Sequence, residues 1–170
     1  SVQCQDVHCV DWNAIDTHLL ATGSADHAVN IWDMRKLDKS GKATPVYVLE
    51  GHTNGITSLQ WYPGQSSVLA SGASDSLINV WDISRIQSDS NDTTAALVFQ
   101  HSGHRGEVTD FQWNATEKWT MLSVSDESQP SGGGTVQAWR VNDMVYTDEE
   151  KVLQELQQYR TQILGGANGQ

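Results

Sequence analysis

The sequence predicts an all-β protein made of repeated four-stranded units. Six of its seven tryptophans form three pairs, and the first members of these pairs stand at positions 12, 61 and 113. Alternating apolar and polar residues lead into each of these tryptophans, which is typical of a strand with two unlike faces. Short apolar strands that end in turn residues follow, and a third strand carries the second tryptophan of the pair. Tandem units of this kind pack as the blades of a β-propeller.

The predicted units follow one another along the chain. We expect the first blade at residues 1–50, the second at 51–102 and the third at 103–141. The third blade is predicted to lack its outer strand, because no strand pattern follows its last tryptophan. Apolar residues then recur at helical spacing, so 142–164 is predicted to contain an amphipathic helix, and 165–170 to be a disordered tail.

Composition narrows the classes of partner. The chain has 21 acidic and ten basic residues, for a net charge of −11. This charge argues against direct binding to nucleic acid or to an anionic membrane, and it fits a basic protein or peptide. No apolar run is long enough to span a membrane. No cysteine–histidine cluster or phosphate-binding loop is apparent, so neither a metal nor a cofactor is expected.

Two dipeptides recur at the ends of the units. Gly-His precedes the second and third units at Gly51-His52 and Gly103-His104, and Trp-Asp closes a strand at Trp32-Asp33 and Trp81-Asp82. This combination resembles the WD repeat. The resemblance implies a buried hydrogen-bonded tetrad of histidine, hydroxyl, acid and tryptophan within a blade. The expected tetrads are His52, Ser71, Asp75 and Trp81 in the second blade, and His104, Ser123, Glu127 and Trp139 in the third.

A serine, a histidine and an acid also form the triad of many hydrolases. A catalytic serine must be exposed in a cleft beside an oxyanion hole. The tetrad residues recur from blade to blade and are expected to be internal, so no enzyme activity is predicted.

Longer segments resemble one branch of the WD proteins. Asp6–Asn13, Leu20–Asp26, Ser102–Arg105, Asp110–Asn114 and the region after Trp139 resemble the C-terminal part of the retinoblastoma-binding/MSI-like histone-binding proteins. The triple glycine at 132–134 is most similar to the plant-type branch. The resemblance implies a nuclear, seven-bladed, non-catalytic scaffold, of which this chain supplies three blades. It also implies membership of histone deacetylase, Polycomb-type or chromatin-assembly complexes.

Two histone-binding surfaces follow from this resemblance. Histone H4 is expected in a side groove formed by an acidic loop at 84–96, with Asp89 and Asp92, and by an apolar wall of Met144 and Val145. The H3 tail is expected on the top face. Its candidate residues are Asp6, His8, Glu107 and Asp126. The alternative is that these acids are solvent-exposed loop residues with no role in binding.

Two other functions remain open. Trp32, Asp33 and Arg35 form a Trp-Asp-x-Arg box, which resembles the segment by which some WD proteins dock the adaptor of a cullin ubiquitin ligase. The chain could also be a bare scaffold fragment with no ligand of its own. We expect the isolated chain to fold poorly or to aggregate, because two blade faces lack a neighbour.

Overall fold

A computed structural model of the chain describes residues 6–36, 44–87, 92–126 and 134–141. The expected helix at 142–164 and the expected tail at 165–170 lie outside these ranges. Within the described ranges the strands are β1 Val7–Trp12, β2 Leu19–Ser24, β3 Val29–Asp33, β4 Tyr47–Leu49, β5 Ile56–Trp61, β6 Val68–Ala73, β7 Ile78–Asp82, β8 Leu97–His101, β9 Val108–Trp113, β10 Thr120–Ser125 and β11 Thr135–Arg140. Short 3-10 helices lie at Met34–Lys36, Ile83–Arg85 and Thr94–Ala96.

The strands form three antiparallel sheets in which sequence neighbours are paired. β1 to β4 form the first sheet, β5 to β8 the second, and β9 to β11 the third. Each sheet is a blade of the kind that the repeat predicts, so the predicted all-β propeller fragment is confirmed. Among the described residues the third blade has three strands.

The turns of the first two blades show why the repeat folds in the same way each time. His27 and Ser76 lie between the second and third strands of their blades, with φ angles of 70° and 69°. In each blade the acid two residues after the second strand accepts a backbone N–H across this turn. Asp26 accepts from Ala28 at 3.2 Å, and Asp75 accepts from Leu77 at 3.1 Å. The acid therefore stabilises the tight turn that begins the third strand.

The middle blade forms the core of the described structure. Every residue of β6 and β7 is buried. We call the first strand of each blade, β1, β5 or β9, its inner strand. The exposure of the tryptophan that ends this strand differs between blades. Trp61 and Trp113 are 5% and 4% exposed, whereas the equivalent Trp12 is 50% exposed. The second and third blades have a blade in front of their inner strand, and the first has none among the described residues.

Adjacent blades are joined by the same contacts at both junctions. The side chain of Asp11 accepts the backbone N–H of Trp61 at 2.7 Å, and the equivalent Gln60 accepts that of Trp113 at 2.8 Å. A Cβ built on Gly23 would lie 2.5 Å from Cγ2 of Ile56, and one on Gly72 would lie 2.7 Å from Cγ1 of Val108. A glycine in the second strand thus leaves room for the first residue of the first strand of the next blade.

In the part of the chain that the structure describes, no helix has the length and apolar character needed to cross a membrane.

Candidate functional site

The tetrad of the second blade is a continuous hydrogen-bonded chain. Nδ1 of His52 lies 3.0 Å from Oδ2 of Asp75, and Nε2 lies 2.8 Å from the hydroxyl of Ser71. The indole N–H of Trp81 donates to that same hydroxyl at 2.8 Å. Burial lowers the pKa of His52, although Asp75 opposes this effect. These four residues connect the blade entrance to the second and third strands, so they stabilise the blade.

The third blade has the same arrangement with one different partner. His104 lies 2.7 Å from the hydroxyl of Ser123, and the indole N–H of Trp139 donates to that hydroxyl at 2.9 Å. The other ring nitrogen of His104 lies 3.0 Å from the hydroxyl of Thr135. The pKa of His104 is lowered by burial and by the neighbouring His101. Glu127, the expected acid, lies outside the described residues.

Thr135 was not singled out from the sequence. It occupies the position of Ala28 and Leu77, whose backbone N–H groups contact the acids of their blades. A threonine at a position that is otherwise apolar is the signal that could have identified it.

The first blade retains half of the tetrad. The indole N–H of Trp32 donates to the hydroxyl of Thr22 at 2.9 Å, in the manner of Trp81 and Ser71. The hydroxyl of Ser24 donates to Asp26. No histidine contacts Thr22 within the described residues, and the sequence places Val2-Gln3 at the Gly-His position.

The geometry of these groups favours a structural role over a chemical one. Ser71 is fully buried, and Ser123 is 1% exposed. Burial also raises the pKa of the Cys9 thiol to about 11, so this thiol is protonated at neutral pH and is a poor nucleophile. Within the ranges described, no group of three or more metal-ligating side chains could hold a metal ion.

Three of the top-face candidates lie at one edge of the blades, which we name the acidic edge: Asp6, Glu107 and Asp126. Asp6 and Glu107 are equivalent residues at the entrances of β1 and β9. Their carbonyls accept the backbone N–H groups of Ala25 and Asp126, at 3.0 and 2.8 Å. All three acids are exposed. The hydroxyl of Ser74 donates to Oε1 of Glu107 at 2.6 Å, which links the second and third blades at this edge.

His8 differs from the other top-face candidates. It lies within β1 rather than in a loop, and its Nδ1 lies 3.0 Å from the carbonyl of Ile56 in the next blade. The equivalent Thr57 donates its hydroxyl to the carbonyl of Val108 in the third blade. The ring of His8 therefore contributes to the junction between two blades.

The acidic loop is described at its two ends. Asp92 is exposed, and its Oδ1 accepts the backbone N–H of Thr94 at 2.9 Å and the hydroxyl of Thr94 at 2.6 Å. These hydrogen bonds lower the pKa of Asp92. The hydroxyl of Thr93 donates to the carbonyl of Val48 at 2.8 Å, which ties this end of the loop to β4. Asp89, Met144 and Val145 lie outside the described residues.

The Trp-Asp-x-Arg box forms an ion pair within the first blade. Nε and one terminal nitrogen of Arg35 donate to the two carboxylate oxygens of Asp33, at 3.0 and 2.9 Å. The hydrogen bond from Arg35 lowers the pKa of Asp33 to about 2. The side chain of Arg35 is still 61% exposed. Docking of a ligase adaptor at this box stays a prediction.

A cavity of roughly 350 Å³ lies at the opposite edge, between the second and third blades. Tyr62 and Trp119 form part of its lining, and their rings stack with centroids 4.5 Å apart. Trp119 is 9% exposed and has a φ of 60°, a conformation that is rare for a bulky residue. Trp119 is the one tryptophan that does not belong to the three pairs. Its ring contact with Tyr62 explains why it is buried.

Comparisons with known proteins agree with this geometry. The family described as WD domain, G-beta repeat matches residues 2–33 and 43–82. The chain is also 45% identical over 163 residues to the WD-40 repeat-containing protein MSI4 of Arabidopsis thaliana. That match covers 94% of this chain and 32% of the relative, so the chain spans about a third of the relative's length. The chain thus carries WD40 repeats at the matched residues, forms the corresponding blades, and is similar over most of its length to an MSI-type WD-40 repeat protein.

Proposed function

We propose that this chain is part of a nuclear WD-repeat scaffold that binds histones within chromatin-modifying or chromatin-assembly complexes. WD-repeat domains serve as platforms for other proteins, and this chain carries such repeats. The expected complexes are of the histone deacetylase, Polycomb and chromatin-assembly types, and the expected ligands are histones H3 and H4. The similarity to MSI4 is the sequence support for this branch of the family.

The observation that carries the proposal is the acidic edge. Asp6, Glu107 and Asp126 are exposed on one edge of the described blades, and the whole chain has a net charge of −11. Arg105 precedes Glu107 in the same loop, but the acids outnumber it. A lysine- and arginine-rich tail is the partner that such a surface attracts, because complementary charge speeds encounter and orients the ligand.

The side groove for histone H4 is part of the same proposal. Asp92 supports it, because this exposed carboxylate is held in place by Thr94 at the end of the loop. A basic amphipathic helix would meet the acids of the loop with its charged face and an apolar wall with its other face. Asp89, Met144 and Val145 are the proposed remaining members.

The acidic edge can be tested with an unmodified H3-tail peptide. We expect Glu107→Gln/Asp126→Asn to weaken binding by roughly 3- to 10-fold at low salt, and we expect the difference to shrink as salt screens the charges. Fluorescence anisotropy with a labelled peptide gives the dissociation constants.

Glu117→Gln is the matched control, because Glu117 is an exposed acid in the loop between β9 and β10, at the other end of the blade. The control is expected to bind like the unchanged chain. Equal affinities for the control and the double variant would refute a role of the acidic edge in recognition.

A further inference from the structure

The outward face of the third blade is the side turned away from the second blade. We define it by Thr109, Asp110, Gln112, Leu122 and Val124. Leu122 is 50% exposed, and Thr109, Asp110 and Gln112 are also exposed. A cavity of roughly 320 Å³ opens beside Gln112 and Leu122. The equivalent faces of the first and second blades are covered by the blades that follow them.

This face repeats the polar groups that join blades elsewhere in the molecule. Gln112 stands at the position of Asp11 and Gln60, whose side chains accept a backbone N–H of the next blade. Among the described residues the side chain of Gln112 has no hydrogen-bond partner of this kind. Thr109 stands at the position of Thr57, whose hydroxyl donates to the first carbonyl of the next inner strand. The outward face is therefore equipped to dock a further blade.

The shape of the face differs from the two covered junctions. Val124 stands where the first and second blades have Gly23 and Gly72. At those glycines even a single Cβ would lie 2.5 Å from Ile56 and 2.7 Å from Val108. A valine at this position excludes an incoming residue as large as valine or isoleucine, because an overpacked junction is destabilised.

The charge of the face differs as well. Asp110 stands where the other blades have Cys9 and Ser58, and Ser58 is only 7% exposed once its junction is covered. Covering the outward face would bury the Asp110 carboxylate in the same way. Oδ1 of Asp110 already accepts the backbone N–H of Phe111 at 2.8 Å. Burying this carboxylate is still unfavourable unless a further hydrogen-bond donor or a cation meets it.

The first blade of this chain does not fit the outward face in either size or charge. Its uncovered face presents Val7, Val10 and Trp12, which are 51%, 61% and 50% exposed. In a head-to-tail pair of copies, Val7 would meet Val124, and this apolar face would cover Asp110. The indole N–H of Trp12 already donates to the carbonyl of Thr17 at 2.8 Å. The two uncovered faces of the chain are thus mismatched in both size and charge. The aggregation expected from the sequence would therefore not proceed head to tail through these two faces.

We propose that the outward face of the third blade selects a propeller blade whose inner strand begins with a residue smaller than valine and carries a donor opposite Asp110. The same features reject the first blade of a second copy of this chain. Val124 and Asp110 are the residues that determine this specificity, and the selected partner is a β-blade rather than a helix or an isolated peptide.

A gain of self-association tests the proposal. Asp110→Ser/Val124→Gly gives the outward face the residue types of the second blade. We expect sedimentation velocity to show head-to-tail association of this variant at least 10-fold tighter than that of the unchanged chain. Adding Trp12→Ser and Val10→Ser to the first blade is expected to abolish the association. Glu117→Gln is the matched control, since Glu117 is an exposed acid of the same blade in the loop between β9 and β10, and the variant keeps Val124 and Asp110.

Circular dichroism identifies which variants are folded. Asp110→Ser alone changes an exposed residue, so it should fold and show a smaller gain. Two results would overturn the proposal: unchanged chain that already associates in a Trp12-dependent way, or folded variants that associate no more tightly than Glu117→Gln.

Discussion

At the scale of single residues, one hydroxyl holds the second blade together. Ser71 is fully buried, and it contacts both the imidazole of His52 and the indole N–H of Trp81. Without it, two buried polar groups lose their shared partner. The cost of a buried group left without a hydrogen bond exceeds the net gain of an ordinary hydrogen bond.

We expect Ser71→Ala to lower the free energy of unfolding by about 1–3 kcal/mol, because Nε2 of His52 and the indole N–H of Trp81 are left without a partner. Urea denaturation measures the change. Ser102→Ala serves as the control, since Ser102 is exposed, and its effect should stay within about 0.5 kcal/mol. A Ser71→Ala variant as stable as this control would show that the tetrad contributes little.

The members of the second-blade tetrad were expected from the resemblance to the WD repeat, and in the structure they form one hydrogen-bonded chain. The sequence did not identify Thr135, because the hydroxyl reaches His104 from a position that is apolar in the other blades. The pairing of Arg35 with Asp33 was also missed, since the box was considered as a surface for an adaptor. Such partners depend on local geometry that spacing alone does not determine.

At the scale of elements, the junction between blades depends on a glycine in the second strand. We expect Gly72→Val to destabilise the chain by about 1–3 kcal/mol, because its side chain would overlap Val108 and Ser58. Thermal and urea unfolding give the value. Val124→Ile adds volume at the equivalent position of the uncovered face, so it should change stability by less than about 0.5 kcal/mol. Equal losses in both variants would contradict the junction described here.

The strands themselves follow closely from the alternating patterns, and their burial does not. Trp12, Trp61 and Trp113 occupy the same position of the repeat, but only the last two are buried. Burial of an inner strand is decided by the preceding blade, which is a non-local property. For the same reason the specificity of the outward face becomes visible only when the covered junctions are compared with it.

At the scale of the whole molecule, the structure shows where part of the excess of acidic residues lies. The composition indicates a basic partner, and the fold brings Asp6, Glu107 and Asp126 to one edge although they are distant in sequence. The repeat made this clustering predictable, since equivalent loops lie at the same edge. The sequence could not show that His8 takes part in the junction with the second blade.

We propose above all that the acidic edge of this WD-repeat module binds a basic histone tail. The most direct test is to titrate an H3-tail peptide into isotopically labelled chain and to follow the backbone amide signals by NMR. We predict that the largest saturable shifts occur at Asp6, Glu107 and Asp126, with little change at Asn114 and Glu117 beside the opposite edge. Shifts centred on Asn114 and Glu117, or no saturable shift at millimolar peptide, would contradict the claim.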